Sequence, residues 1–130
     1  MILLDSSIII ASFRQNELKH KDAIDIIKNS WKILIIDFIL SEILTVLKMR
    51  ESHEITISCL DFLRNNSDIE ISRVTDIEFN LTISLFEQNN NKLSFVDLLL
   101  VVVKHQRDLK IATFDKELVK VLLENKLWKF

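Results

Sequence analysis

The chain alternates short, continuously apolar runs with longer stretches whose apolar residues recur at helical spacing. Residues 2–4 (Ile-Leu-Leu) are apolar and stop at Asp5, which predicts a buried strand. Residues 6–13 read as helical, with Ile8, Ile9 and Phe13 apolar, and residues 14–17 are a polar break. Residues 18–30 set Leu18, Ala23, Ile24, Ile26 and Ile27 against Lys19, Lys21, Asp22, Asp25 and Lys28. That spacing predicts an amphipathic helix. Residues 32–36 are apolar and mostly β-branched after Lys32, as in a strand buried on both faces of a parallel sheet. Asp37 is placed to N-cap a helix over 38–51, and residues 53–65 predict another. Ile69 and Ile71 mark a third short strand. Thr75 and Glu78 have the spacing of a capping box and open a helix that runs to about Gln88. A strongly apolar helix follows over 94–107, then a fourth strand over 110–113 and a last helix over 116–124. Residues 127–130 read as a fifth, edge strand or a docked tail.

Strands that alternate with helices predict an α/β fold: one domain over residues 1–130, with four or five parallel strands and helices on both faces. Crossovers are expected to be right-handed. A length of 130 residues agrees with a single domain. Hydrophobic residues at 48% and charged residues at 28% exclude a disordered chain. The longest apolar run, residues 98–103, is far short of the about 20 residues a membrane helix needs. The first residues lack a basic region and an apolar leader segment, so no signal peptide is expected.

Cys59 is the sole cysteine, which excludes an internal disulfide framework and a cysteine-based zinc cluster. It fits a reducing cytoplasm. The net charge is −2, and basic and acidic residues are spread evenly over both halves. Bulk attraction to nucleic acid is therefore unsupported, and any such recognition must be local. The chain has no glycine and no proline. Gly-rich phosphate loops are thereby excluded. Asn, Asp, Ser and Lys must make every turn.

Ligands of an open parallel sheet bind beyond the carboxyl ends of its strands. Four acids fall near that edge. Asp5 follows the first strand, Glu42 sits about one turn into the helix after the second, Asp97 lies in the first turn of the apolar helix, and Asp115 follows the fourth strand. Each also has a plain structural reading. Asp5 and Asp115 suit N-caps, Asp97 can complete a box with Ser94, and Glu42 suits a helix start. Two of these readings are strained. Asp97 is embedded in a helix apolar all round, and Glu42 stands between Leu40 and Ile43. An unpaired buried carboxylate is costly, and a cation removes the cost. Several acids converging on one edge look like a hard-metal site, with oxygen ligands that suit Mg²⁺ or Mn²⁺.

The segments Ile2-Leu3-Leu4-Asp5-Ser6-Ser7, Ser41-Glu42-Ile43, Leu93-Ser94-Phe95-Val96-Asp97-Leu98-Leu99 and Ile111-Ala112-Thr113-Phe114-Asp115-Lys116-Glu117-Leu118 together resemble the PIN-domain nucleases, especially VapBC-type toxins. Their order and spacing carry the resemblance, which covers nearly the whole chain. It implies a metal-dependent endoribonuclease acting on RNA, with Asp5, Glu42, Asp97 and Asp115 as the acidic catalytic and metal-site residues. It implies that Ser7 and Thr113 support that site by hydrogen bonds. It also implies a cognate antitoxin partner, and the helices over 18–65 carry enough apolar side chains for its groove or for a homodimer face. Arg14, Lys92 and Lys116 are the cations nearest the proposed edge in sequence.

Two other classes fit less of the chain. A non-catalytic PIN-like binding module keeps the fold without cleavage. A phosphoacceptor receiver wants an acidic pair at the end of the first strand, where Asp5 is followed by two serines. His20, His53 and His105 lack ligand spacing and read as surface or helix-end residues. Cys59, Trp31, Trp128 and the eight Phe read as core rather than as stacking platforms.

Overall fold

The structure is a computed structural model that describes residues 1–124. The segment over 127–130, expected to be an edge strand or docked tail, lies outside the described residues. Four parallel strands form one sheet: β1 (Ile2–Leu4), β2 (Ile33–Ile36), β3 (Ile69–Ser72) and β4 (Lys110–Ala112), in the order β3-β2-β1-β4. Leu3 lies opposite Leu34 on one side and Ile111 on the other, and Ile33 lies opposite Ile69. All four β2 residues are buried. Successive strand side chains point to opposite faces, so both faces of the sheet are covered, as the apolar run over 32–36 requires.

Seven helices are described: α1 (Ser6–Ser12), α2 (His20–Asn29), α3 (Asp37–Arg50), α4 (His53–Asn65), α5 (Asp76–Gln88), α6 (Phe95–Gln106) and α7 (Lys116–Glu124). α1 packs on α2 and α3, α3 on α4, and α5 on α6. With right-handed crossovers, β1 to β2 to β3 steps one way along the sheet and places α1 to α4 on one face. The return from β3 to β4 crosses the whole sheet and places α5 and α6 on the other. Residues 98–103 of α6 are all buried, as an all-apolar helix must be. Among the described residues no helix is long and apolar enough to cross a membrane.

Several boundaries and faces differ from the sequence reading. α2 starts at His20 rather than at residue 18, and Leu18 is 95% exposed in the preceding turn. α3 starts at Asp37 itself, with Ile36 as the cap. The Asp37 carboxylate accepts from the Phe38 amide and, at 3.4 Å, from the Val74 amide, which ties the end of β2 to the segment after β3. Trp31, Phe38, Phe62, Phe79 and Phe86 are exposed, so the core reading of the aromatics fails for these five. Cys59 is fully buried, and burial pushes its thiol pKa up to about 12. At the end of α6, Asp108 takes a left-handed conformation (φ 51°) and the Leu109 amide donates back to the Lys104 carbonyl. Glycine usually fills this closing position, and Asp is among the few residues that tolerate it.

Candidate active site

The connections explain why distant acids share one edge. α1, α3 and α7 each begin within a few residues of the carboxyl end of a strand. α6 must end at the opposite edge to feed β4, so its first turn also lies at the carboxyl edge. Residues that cap or open these four helices therefore meet there.

Asp5 is the hub. It is 94% buried and caps α1, its Oδ1 accepting from the Ser6 amide at 2.7 Å. Its Oδ2 accepts from the Thr113 hydroxyl at 2.6 Å and from the Ser7 hydroxyl at 3.0 Å. Thr113 Oγ1 accepts in turn from the Asp115 amide, and Ser7 Oγ from the Phe114 amide. β1 and β4 are adjacent strands, and these two hydroxyls fasten the loops that leave them. Ser6, which the sequence reading did not single out, donates its hydroxyl to Glu42 Oε1 at 3.0 Å and stands 3.4 Å from Asp5 Oδ1. Its signal was the Ser6-Ser7 pair after Asp5. In the first turn of a helix adjacent residues diverge, so Ser7 turns to Asp5 Oδ2 while Ser6 reaches Glu42 as well as Asp5 Oδ1.

The three capping alternatives are all realised. Asp115 Oδ1 accepts from the Glu117 and Leu118 amides at the start of α7. Asp97 and Ser94 form a reciprocal capping box on α6, each side chain accepting from the other's amide at 3.2 Å. Capping and convergence do not compete, because each cap engages one oxygen of the carboxylate. The burial argument holds better for Asp97, which is half-buried, than for Glu42, which is exposed as a residue and only partly desolvated at its carboxyl. Glu42 is tied to the site by Ser6 instead.

Desolvation holds the Asp97 carboxyl above the usual aspartate pKa, against the Ser94 bonds that lower it, and the charges of Asp115 and Asp5 raise it further. Desolvation likewise raises Glu42, opposed by the Ser6 hydrogen bond, with added repulsion from Asp5 and Asp97. Glu42 thus senses Asp5 and Asp97, and Asp97 senses Asp115 and Asp5. Among the described residues no Lys or Arg pairs with any of them. Arg14, one of the three cations near the edge in sequence, is engaged by Glu51 at 2.8 Å and Glu17 at 3.1 Å. A groove of about 590 Å³ opens beside Glu42, lined by Asp37, Phe38, Ser41, Thr45, Val46 and Val96.

Oxygen-only donors and uncompensated negative charge fit a hard divalent cation. Among the described residues no three His, Cys, Asp or Glu side chains stand close enough to chelate one ion as placed. The fit therefore rests on donor type and charge.

The PIN domain model matches residues 2–122, and the chain belongs to the PIN-domain family. No curated protein sequence matches it. Its fold is similar to that of VapC20 of Mycobacterium tuberculosis, a toxin described as cleaving the sarcin-ricin loop. The TM-score is 0.85 at 18% identity, over 93% of this chain and 95% of that one. It is similar to the structure of VapBC2 from Rickettsia felis bound to a promoter DNA fragment, with TM-score 0.67 and 19% identity over 95% and 92% of the two chains. A toxin–antitoxin complex from Klebsiella pneumoniae matches at TM-score 0.64 and 17% identity, over 88% and 87%.

Proposed function

We propose that the protein is a metal-dependent endoribonuclease, a hydrolase of RNA phosphodiester bonds, and the toxin of a cytoplasmic toxin–antitoxin pair. The observation that carries this reading is the set of four acids at the carboxyl edge, with Asp5, Glu42 and Asp115 tied together through Ser6, Ser7 and Thr113, and with no Lys or Arg paired to any of the four among the described residues. The PIN-domain match and the fold shared with toxins of such pairs support it. Asp5, Glu42, Asp97 and Asp115 would hold Mg²⁺ or Mn²⁺. When bound there, the ion supplies charge neutralisation for the phosphodiester and acidity for a water. The chain's own residues supply placement. Ser7 and Thr113 fix Asp5 from two sides, and Ser6 holds Glu42 toward Asp5.

The test is cleavage of total RNA by the purified protein with Mg²⁺, with Mn²⁺, with EDTA and as the Asp97→Asn variant. Discrete fragments that need metal and vanish in the variant are expected. Cleavage that survives in Asp97→Asn rejects the site. A binding module that keeps the fold without cleavage is the second reading, favoured by the lack of a ready-made chelate among the described residues. It predicts no metal-dependent fragments from any RNA.

The partners proposed are an RNA substrate, a cognate antitoxin and a second copy of the chain. The homodimer reading rests on a row of rings, Phe38–Phe79–Phe95–Phe86, with centroids 6.3, 5.5 and 6.0 Å apart. Ile77 and Ile83 expose further apolar surface on α5. Contiguous exposed apolar surface of this kind marks an interface. Phe79→Glu is expected to convert a dimer to a monomer in light scattering after size exclusion. A monomeric wild type, or a dimeric variant, rejects this face.

A further inference from the structure

We propose that Lys19 is a phosphate contact for the RNA strand at the acidic edge, an inference that rests on the ribonuclease reading above. A site of four carboxylates repels a polyanion, and phosphate contacts supply most of the affinity for nucleic acid. A cation fixed close to the edge is therefore needed, and Arg14 is already engaged by Glu51 and Glu17.

The topology brings Lys19 there. Lys19 immediately precedes α2, which has ten residues and must finish at the amino edge to feed β2. At about 1.5 Å per residue the helix spans about 15 Å, enough to start at the carboxyl edge. The contacts agree. Lys19 Nζ stands 5.7 Å from the ring centroid of Phe114, inside the range of a cation–π contact. Phe114 lies between Thr113 and Asp115, and its amide donates to Ser7, which donates to Asp5. The ammonium therefore rests on the loop that carries two of the site's residues. Among the described residues its one ion-pair partner, Asp22, is 3.8 Å away, and both side chains are more than half exposed. Such a pair is weak in water and leaves the ammonium free to meet a phosphate. The ring restrains a flexible side chain without neutralising it.

The test is binding of a fluorescein-labelled single-stranded RNA of mixed sequence, read by anisotropy over a salt series with Ca²⁺ in place of Mg²⁺. Mixed sequence suffices because phosphate contacts carry no sequence information. Lys19→Ala is expected to raise Kd about three- to tenfold and to lower the log–log salt slope by about 0.7, the loss of one phosphate contact. Lys19→Arg is expected to retain both. Lys110→Ala, at the opposite end of β4, is the control and is expected to match wild type. Lys19→Ala with unchanged Kd and slope overturns the proposal, as does an equal loss in Lys110→Ala. A wild type that binds without cleaving any RNA, with Lys19→Ala weakened, keeps the contact and overturns the nuclease. A wild type that neither binds nor cleaves overturns both.

Discussion

Asp5→Asn is expected to lower kcat/KM for RNA cleavage by about a thousandfold or more, a loss of about 4 kcal/mol of transition-state stabilisation. Asp5 is the acid on which the others' placement converges. Thr113 and Ser7 both donate to its Oδ2, and Ser6 links it to Glu42. The asparagine keeps an oxygen to accept from the Ser6 amide, so the α1 cap survives. Its amide nitrogen cannot accept from the two hydroxyls, which must turn to accept instead. The charge is lost, and with it the donor most buried among the four. Thermal melting with and without Mn²⁺ separates the two effects. The wild type is expected to gain Tm with Mn²⁺, and the variant to melt cooperatively, a few degrees lower, without that gain. Cleavage within tenfold of wild type in Asp5→Asn removes Asp5 from the machinery.

Much of this edge was legible in sequence because two local rules coincide there. A parallel strand is a short apolar run, and the residue that ends it is polar and opens a helix. Asp5 and Asp115 could be found from those rules alone, and so could the Thr75–Glu78 and Ser94–Asp97 boxes. What periodicity could not show was which apolar residues of a helix face solvent. Phe86 reads as core, yet it is 53% exposed, and Ile77 on the same helix is 67% exposed. A pattern with apolar residues on more than one face has no unique inward direction, and the packing of α6 decided it. The role of Ser6 is hidden in the sequence for a different reason. Its role depends on Glu42, 36 residues away, and no local spacing encodes that pairing. In sequence Lys19 reads as part of the polar face of a helix, and its contact with Phe114 exists only because α2 crosses to the site edge.

Arg107→Ala is expected to destabilise the fold by about 3 kcal/mol, a fall in Tm on the order of 10 °C. The residue joins three elements that no backbone bond connects. Its guanidinium forks onto Glu78, Nε to Oε2 and an Nη to Oε1, both at 2.8 Å. It also donates to the Ser72 hydroxyl and to the Arg73 carbonyl, each at 3.0 Å. The end of α6 is thereby clamped to the start of α5 and to the carboxyl end of β3. Glu78 is almost fully buried and also completes the α5 capping box through the Thr75 amide. Removing the arginine leaves a buried carboxylate with that amide as its main support, which is the costly way to break such a pair. Arg107→Lys is expected to recover part of the loss, since a lysine cannot form the fork. The same pair sets a pH dependence. The Arg107 hydrogen bond, foremost, holds the Glu78 carboxyl below the usual glutamate pKa of 4.5, against the burial that raises it. A depressed pKa contributes stability that is fully present above the unfolded value and is lost as pH falls through the folded one. Urea unfolding of the wild type is therefore expected to show ΔG declining as pH drops below about 4.5, more steeply than in Glu78→Gln. The glutamine variant starts less stable at neutral pH and approaches the wild type in acid. If the gap between the two stays constant from neutral pH into acid, the ion pair is not what fastens α5 to α6.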